Sequence, residues 1–402
     1  MRIKGGDPSA LRRRNLATML RTMYEGEPQT VTGLAQATGL SRPTCEEGVV
    51  ELVAQAWAVE SAPPEPTEVR QPGRPAKRYE FNAAAGRVLG VDVGAHKILA
   101  IAADLRGAVT SVRRTDVDPA LPAKERLAAI NGTVAACLAA DPSRDDSRLL
   151  AAVIASPGVI DAQGRVVLAN ALPEWTGLNV AEELIRILGP GTVDGTVSAE
   201  NDMRMAALAE QWQGVAANVP DLLYIHAGHR MGAAILIDGK PYRGSRGAAG
   251  EIGTLSLLDW ENSYRRLLSY VPDGDGATGD ATLRVFTDLR DGNAQARELV
   301  DRFARDLATG VAVMSMTLDP TLVVVGGGIS RAGDAIVEPV RRHLADLCLF
   351  PPEVQASSLG DESVALGAVR AGLQQVEERL FGAGAALRST PAGASTPDLG
   401  HS

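Results

Sequence analysis

Val88-Leu-Gly-Val-Asp-Val-Gly94 is an apolar run that ends in an aspartate and a glycine. Comparable apolar runs recur at residues 151–155, 222–226 and 321–325. A short run that is apolar on both faces is typical of a strand in a buried sheet. The last run leads into three glycines, Gly326 to Gly328. These segments predict an α/β protein whose buried strands end in glycine-containing turns.

The chain has 402 residues, which predicts two to three domains and is ample for a large core. No apolar run approaches the roughly 20 residues of a membrane span, and the Arg-rich N-terminus lacks the apolar stretch of a secretory signal. We therefore expect a cytoplasmic protein. Cys45, Cys137 and Cys348 lie far apart, so their spacing indicates neither a disulfide framework nor a cysteine-rich zinc site.

The net charge of −9 is unevenly distributed along the chain. Residues 1–82 carry 11 basic and 10 acidic side chains, whereas the remainder carries 29 and 39. An acidic body is repelled by phosphate backbones. Any contact with DNA must therefore come from local basic clusters, at residues 12–14 and 70–78.

The N-terminal segment has the pattern of a helix-turn-helix. Apolar residues from Leu11 to Tyr24 recur at helical spacing and predict a first helix. Residues 31–39 predict a short second helix that Gly39 ends, since glycine readily adopts a positive φ. Ser41 is the expected N-cap of a third, recognition helix that continues through Val53. Gly48 within that helix costs about 1 kcal/mol relative to Ala, so packing must hold it.

Two short β-like runs, 57–60 and 78–81, flank a proline-rich basic loop, as in the wing of a winged helix. An arginine at the tip of such a loop could enter a narrow minor groove. The alternative is a solvated linker beside a chance helical pattern. The residues predicted to contact DNA are Ser41, Arg42, Thr44, Arg70, Arg74, Lys77 and Arg78.

Several segments between Tyr79 and Leu373 resemble the ROK family, which includes both repressors and sugar kinases. Residues 89–97 resemble its first phosphate loop, although His96 stands where the kinases usually carry Thr. Residues 152–161 and 170–175 resemble its sugar-side loops, and residues 247–253 resemble a segment whose Glu binds sugar hydroxyls. Residues 322–330 resemble its adenosine-side loop, and residues 359–368 its closing helix. The segment Ala199-Glu-Asn-Asp202 resembles the Asn-Asp pair that binds the sugar, in which the Asp is the general base.

This resemblance implies a set of site residues. The sugar-binding residues would be Gly158, Asn170, Asn201, Asp202 and Glu251, with Asp202 a vestigial general base that binds ligand only. The vestigial nucleotide-binding residues would be Asp92, Gly94, Gly232, Gly326, Gly327 and Gly328. No cofactor and no metal site are expected, because Thr254 replaces the His that opens the family's zinc run and no Cys-rich run follows.

The second phosphate loop departs from the kinase pattern. Where the kinases carry Gly-Thr-Gly-x-Gly-x-Gly, this chain has residues 228–234, with Arg230 and Ala234 at positions of close backbone approach. A His at position 229 makes this loop more similar to those of the family's DNA-binding regulators than to those of its kinases. Loss of the phosphate side with retention of the sugar side favours a sensor over a kinase.

The expected fold is a winged helix at 1–82 followed by an actin-like, ribonuclease H-like pair of α/β lobes. The first lobe would span 83–200, completed by 361–378, the second 201–360, and 379–402 would be a disordered tail. The expected function is a transcriptional regulator, a repressor of carbohydrate-metabolism genes, that binds operator DNA as a homodimer or homotetramer and responds to a sugar or sugar phosphate. The alternatives are an ATP-dependent sugar kinase with a regulatory head, and a regulator that no longer recognises sugar.

Overall fold

A computed structural model describes residues 8–62, 76–142, 148–228, 230–270 and 281–382 of the chain. The N-terminal part, which we call the head (residues 8–82), has three helices and a small antiparallel sheet with strand order β1-β3-β2. Its elements are α1 (Pro8–Glu25), β1 (Gln29–Thr30), α2 (Val31–Thr38), α3 (Arg42–Ala54), β2 (Ala58–Glu60) and β3 (Arg78–Phe81). This is the element order of a winged helix.

Local signals set the ends of the head helices. Gly39 ends α2 with φ +70°, and the Ser41 side chain accepts a hydrogen bond from the Thr44 amide at the start of α3. Gly48 lies against α1, where a Cβ atom would stand 2.6 Å from the sulfur of Met19. Close packing of α1 on α3 therefore accounts for a glycine inside α3.

The first lobe is built on a five-stranded sheet with order β10-β7-β4-β5-β6. Strands β4, β7 and β10 are parallel, and β5 and β6 extend the sheet as an antiparallel meander. Two helices and a two-stranded ribbon complete the lobe. The elements are β4 (Gly86–Val93), β5 (Lys97–Asp104), β6 (Val109–Asp116), α4 (Ala123–Ala140), β7 (Arg148–Ser156), β8 (Val159–Ile160), β9 (Val166–Leu168), α5 (Val180–Leu188) and β10 (Val193–Asn201).

The second lobe repeats this plan with strand order β13-β12-β11-β14-β15, in which β11, β14 and β15 are parallel. Its core surrounds Trp260, Phe286 and Phe303. The elements after β10 are α6 (Asp202–Gln213), β11 (Leu222–His226), β12 (Gly232–Ile237), β13 (Lys240–Pro241), α7 (Trp260–Leu268), α8 (Ala281–Arg290), α9 (Ala294–Leu318), β14 (Leu322–Gly326), α10 (Asp334–Leu347), β15 (Glu353–Ala356) and α11 (Ser363–Phe381).

The final helix, α11, returns to the first lobe, where it packs on β4, β7 and α6. It ends at Phe381, so the expected start of a disordered tail at 379 is wrong by three residues. The reason is that Leu380 is buried in the core that the head shares with the first lobe. Residues 383–402 lie outside the described part. Within that part, no helix is both long and apolar enough to cross a membrane.

Candidate functional site

The parallel strands of the first lobe bring a predicted sugar-binding residue and a predicted nucleotide-binding residue to one edge. Asn201, at the end of β10, pairs with Ser156 at the end of β7, and Asp92, near the end of β4, pairs with Ala155. Ligands of open α/β sheets bind at the carboxyl ends of the strands. The fold thus places Asp92 and Asn201 at the carboxyl ends of the two strands that flank β7, although they are far apart in sequence.

Asn201 organises the sugar side of this edge. Its Oδ1 accepts a hydrogen bond from the Arg204 amide (3.1 Å), which caps α6. Its Nδ2 donates to the Gly158 carbonyl (3.0 Å) and to Oδ1 of Asp202 (3.1 Å). The structure therefore brings Gly158, Asn201 and Asp202 together as the sequence predicts.

The carboxyl group of Asp202 lies in an acidic environment. Burial raises the pKa of Asp202 to about 7, and the negative charges of Asp92 and Glu251 add to this effect. The amide of Met203 acts in the opposite direction, since it donates to Oδ1 at 2.8 Å. Burial likewise raises the pKa of Glu251. At neutral pH Asp202 can therefore hold or accept a proton, which suits hydrogen bonding to a ligand hydroxyl.

We expect Asp202→Asn to stabilise the protein more at pH 8 than at pH 5, by about 2 kcal/mol. The carboxyl binds its proton more tightly in the folded chain, so its contribution to stability is full below pH 4 and is lost as the pH rises through 7. Urea unfolding at the two pH values measures the difference. Exposed Asp346→Asn on α10 is the control and should change stability equally at both. Equal effects for the two variants would contradict the prediction.

A buried ionic cluster lies beneath the sugar side, and sequence reasoning missed it. Arg204 donates from Nε to Glu200 (2.8 Å) and from Nη1 to the Gly247 carbonyl (3.1 Å). Arg243 binds the other oxygen of Glu200. The available signal was the i,i+4 spacing of Glu200 and Arg204 at a strand-to-helix junction. This cluster joins α6 to the loop that precedes Glu251.

The side predicted to face nucleotide phosphates is occupied by the chain's own charges. Lys97 Nζ lies 3.2 Å from the buried carboxylate of Asp92 and also donates to the Asp361 carbonyl. Arg114 of the first lobe and Arg331 of the second both contact the Asp361 carboxylate, at 3.3 and 3.4 Å. Burial raises the pKa of Asp92, and Lys97 opposes that rise. Sequence reasoning included Asp92 but missed this ion network.

His226, at the end of β11, is another residue on this side that the sequence did not single out. Burial and the nearby charge of Lys97 lower the pKa of His226 to about 4, so the imidazole is neutral at pH 7. His229, by contrast, lies outside the described residues. The histidine that borders the glycine turn of β14 is therefore an uncharged group.

Close contacts within the protein explain why several of the predicted nucleotide-binding positions carry glycine. A Cβ at Gly326 would lie 2.0 Å from the Tyr224 hydroxyl, and one at Gly232 would lie 2.4 Å from the Met203 sulfur. Gly327 has φ +80° and lies against the Ala227 carbonyl. Gly328 starts the 3-10 turn that follows β14, and the carbonyl of Gly94 accepts a hydrogen bond from Arg126. These contacts account for glycine at Gly326, Gly232 and Gly327 without a nucleotide.

Arg230 connects the two lobes. Its Nη2 donates to the Asn170 carbonyl at 2.6 Å, so an exposed side chain of the second lobe holds a sugar-side loop of the first. The predicted ligand residue Asn170 is itself exposed. In the described part of the chain, no group of three or more His, Cys, Asp or Glu side chains could hold a metal ion.

The residues predicted to contact DNA divide into three groups. Ser41 and Thr44 bond to each other through their hydroxyls (2.8 Å), and exposed Arg42 pairs with Glu46 (3.0 Å). Lys77 pairs with Glu60 (2.6 Å), while Arg78 is part-buried and donates to the Pro28 carbonyl (3.0 Å). Arg70 and Arg74 lie outside the described residues. Arg42 and Lys77 are exposed enough to exchange their partners for phosphate oxygens.

Exposed residues on the outer face of α3 form a stripe at helical spacing. They are Arg42, Glu46, Glu47, Val50 and Val53. Only one of them is basic, and it is paired within the stripe. With one basic side chain among these five residues, this face by itself would attract DNA only weakly.

Comparisons with known proteins agree with this architecture. The model of the ROK family matches residues 88–263 and 275–374. The xylose repressor of Caldicellulosiruptor bescii is 22% identical over 394 residues, covering 90% of this chain and 96% of the repressor. The kanosamine kinase of Amycolatopsis mediterranei is 28% identical, covering 70% of this chain and 94% of the kinase.

Solved structures show the same difference between regulators and kinases in the share of this chain that they cover. A ROK family transcriptional regulator, described as a homologue of the Escherichia coli MLC protein, superimposes with a TM-score of 0.69 at 18% identity, covering 92% of this chain and 98% of the regulator. A ROK glucokinase from Streptomyces griseus superimposes with a TM-score of 0.57 at 23% identity, covering 72% of this chain and all of the glucokinase. These similarities confirm the predicted actin-like α/β fold.

Proposed function

The chain belongs to the ROK family, and we propose that it is a transcriptional regulator that binds operator DNA through its head. The main support for the proposal is the share of this chain that aligns with each kind of relative. The repressor and regulator relatives align with 90% and 92% of the chain, whereas the kinases above align with about 70% of it. The additional length of the regulators accommodates a head such as residues 8–82.

The state of the phosphate side supports the same conclusion. Lys97 is engaged by Asp92 and Asp361, and Asp361 is in turn bound by an arginine from each lobe. A nucleotide would have to compete with these internal ion pairs for the same cations. By contrast, the predicted sugar-side residues Gly158, Asn201 and Asp202 are joined by hydrogen bonds from the Asn201 amide group. We propose that the ligand is a sugar or sugar phosphate and that it acts as an effector.

We expect full-length protein to select a defined DNA sequence from a random duplex pool and to lose affinity as salt rises from 50 to 200 mM. Arg42→Ala should weaken binding to the selected sequence about tenfold, the loss expected for one base contact. Gel shifts measure both. Arg21→Ala is the matched control, because Arg21 also forms an exposed i,i+4 pair, with Glu25, but lies at the body end of α1. Absence of sequence-selective, salt-sensitive binding would refute the proposal.

The sugar kinase is the second candidate, because the carboxyl group of Asp202, with a pKa of about 7, can accept a proton as a general base does. A coupled assay of ADP release over hexoses, pentoses and amino sugars distinguishes the two functions. Turnover that depends on sugar and is abolished by Asp202→Asn would establish the kinase. The regulator should show none.

Thermal-shift measurements with the same sugars and their phosphates identify the effector. A ligand at 100 times its dissociation constant should stabilise the protein by about 2.7 kcal/mol. Asn201→Ala should remove that shift, since Asn201 holds both Gly158 and Asp202. A panel without any hit would favour a regulator that no longer recognises sugar.

A further inference from the structure

The head and the first lobe share one hydrophobic core. Leu20, Met23 and Phe81 of the head lie in the same buried cluster as Leu105 of the first lobe and Val376 of α11. The chain between β3 and β4 is only residues 82–85, and the Leu105 amide donates to the Ala83 carbonyl (3.1 Å). The head is therefore packed against the lobe, in contrast to a domain on a flexible linker.

Arg106, in the turn between β5 and β6, binds the C-terminal end of α1. Its Nη1 donates to the Tyr24 carbonyl and its Nη2 to the Met23 carbonyl, both at 3.1 Å. These carbonyls belong to the last turn of the helix, where acceptors lack helical partners and the dipole favours a cation. The guanidinium carbon also lies 5.8 Å from the Tyr24 ring centroid and 6.0 Å from that of Phe81.

Hydrogen bonds and close packing fix the conformation of the turn that carries Arg106. The Asp104 carboxylate accepts hydrogen bonds from the amides of Arg106 and Ala108, each at 2.9 Å. Gly107 has φ +84°, and a Cβ there would stand 2.3 Å from the Trp212 ring. Since Trp212 lies near the end of α6, the turn is held between α6 and the head.

A second contact joins the head to α11. The Tyr24 hydroxyl donates to Glu377 (2.9 Å), which also binds Arg370 (2.6 Å). The Tyr24 ring packs on Phe81 at 5.1 Å and on Phe381 at 5.3 Å between centroids. Both supporting helices begin near the candidate ligand site, α6 at Asp202 and α11 just after Asp361.

We propose that Arg106 is a positioning residue that locks the DNA head to the first lobe, so that the paired heads of a dimer discriminate the spacing of operator half-sites. The inference rests on the proposed function. A planar guanidinium spans two carbonyls that a lysine could not bind in the same way. With the lock in place, the head turns only when the first lobe turns, and a change at the ligand site can reach DNA as a rigid-body rotation.

Spin labels at Gln36→Cys in the head and Lys124→Cys in the first lobe test the lock directly. Both sites are exposed, and the three native cysteines are buried, so labelling is selective. We expect one narrow distance distribution for the parent protein and at least about a twofold wider one for Arg106→Ala. Arg113→Ala is the matched control, because that exposed arginine on the adjoining strand donates to the Val112 carbonyl within its own strand. Arg106→Gln, which keeps a shorter donor, should be intermediate and serves if Arg106→Ala does not fold.

Operator binding gives the second measurement. When the half-sites of the selected operator are moved apart by about two base pairs, the parent protein should lose about tenfold in affinity. Arg106→Ala should lose less than about threefold, with affinity for a single half-site unchanged. An unchanged label distribution together with unchanged spacing discrimination in Arg106→Ala would overturn the inference. If the parent protein selects no DNA, the proposed function fails, and the label distances still decide whether Arg106 locks the head.

Discussion

Gly367→Ala is expected to lower the free energy of unfolding by about 3 kcal/mol or more, because the added methyl has no space. A Cβ at Gly367 would lie 1.7 Å from the main-chain carbonyl oxygen of Met205, so α11 and α6 are in backbone contact there. Relief requires one helix to move, and side-chain rotation alone cannot provide it. Urea unfolding followed by circular dichroism measures the loss.

Gly372→Ala, five residues further along α11, is the matched control. The nearest atoms to a Cβ at Gly372 are side-chain carbons at 3.5 Å, which is ordinary contact. Since Ala is the better helix former, this variant should be neutral or more stable by up to about 1 kcal/mol. Similar stabilities for the two variants would show that α6 and α11 can separate without cost.

Arg126→Met is expected to lower the free energy of unfolding by about 4 kcal/mol, because it leaves a set of buried carbonyls without a hydrogen-bond donor. Arg126 is fully buried in α4 and donates to the carbonyls of Gly94 (2.7 Å), Ala95 (3.4 Å), Asp118 (3.0 Å) and Pro119 (3.3 Å). Burial lowers the pKa of Arg126, and those carbonyls solvate the charge in place of water. The turn after Asp92 should lose its support.

Lys124→Met serves as the control for Arg126→Met, because Lys124 is an exposed cation in the same turn of α4. Its loss should change stability by less than about 0.5 kcal/mol. Hydrogen exchange adds a local measure. The amides of residues 94–97 should exchange faster in Arg126→Met only, and unchanged exchange would mean that the turn is stable without its arginine.

The head could be predicted closely from sequence because its signals are local. Gly39 and Ser41 end and begin helices through conformations and hydrogen bonds that span three residues. The buried strands were similarly evident from their apolar composition, and their observed ends differ from the predicted ones by at most three residues. The roles of Gly158, Asn170 and Glu251 in binding a ligand remain predictions.

The ion networks could not be predicted in the same way, because their partners are distant in sequence. Arg78 was expected to face DNA, but the sheet turns its side chain to the Pro28 carbonyl. Lys97 and Asp361 are 264 positions apart and meet only when α11 returns to the first sheet. No local sequence pattern around Lys97 or Asp361 indicates which residue it will contact.

Local signals in the sequence were enough to predict the order of head and lobes, the strand end near Asp92, the strand-to-helix junction at Asp202, and the departures at Arg230 and Thr254 from the kinase pattern. These follow from short-range periodicity, capping and motif spacing, which the chain encodes within a few residues. The internal ion pairs on the predicted phosphate side, and the contact of Arg106 with the head, became visible only in the folded chain. Those outcomes depend on which distant groups share a low-dielectric interior, where each buried charge must find a partner.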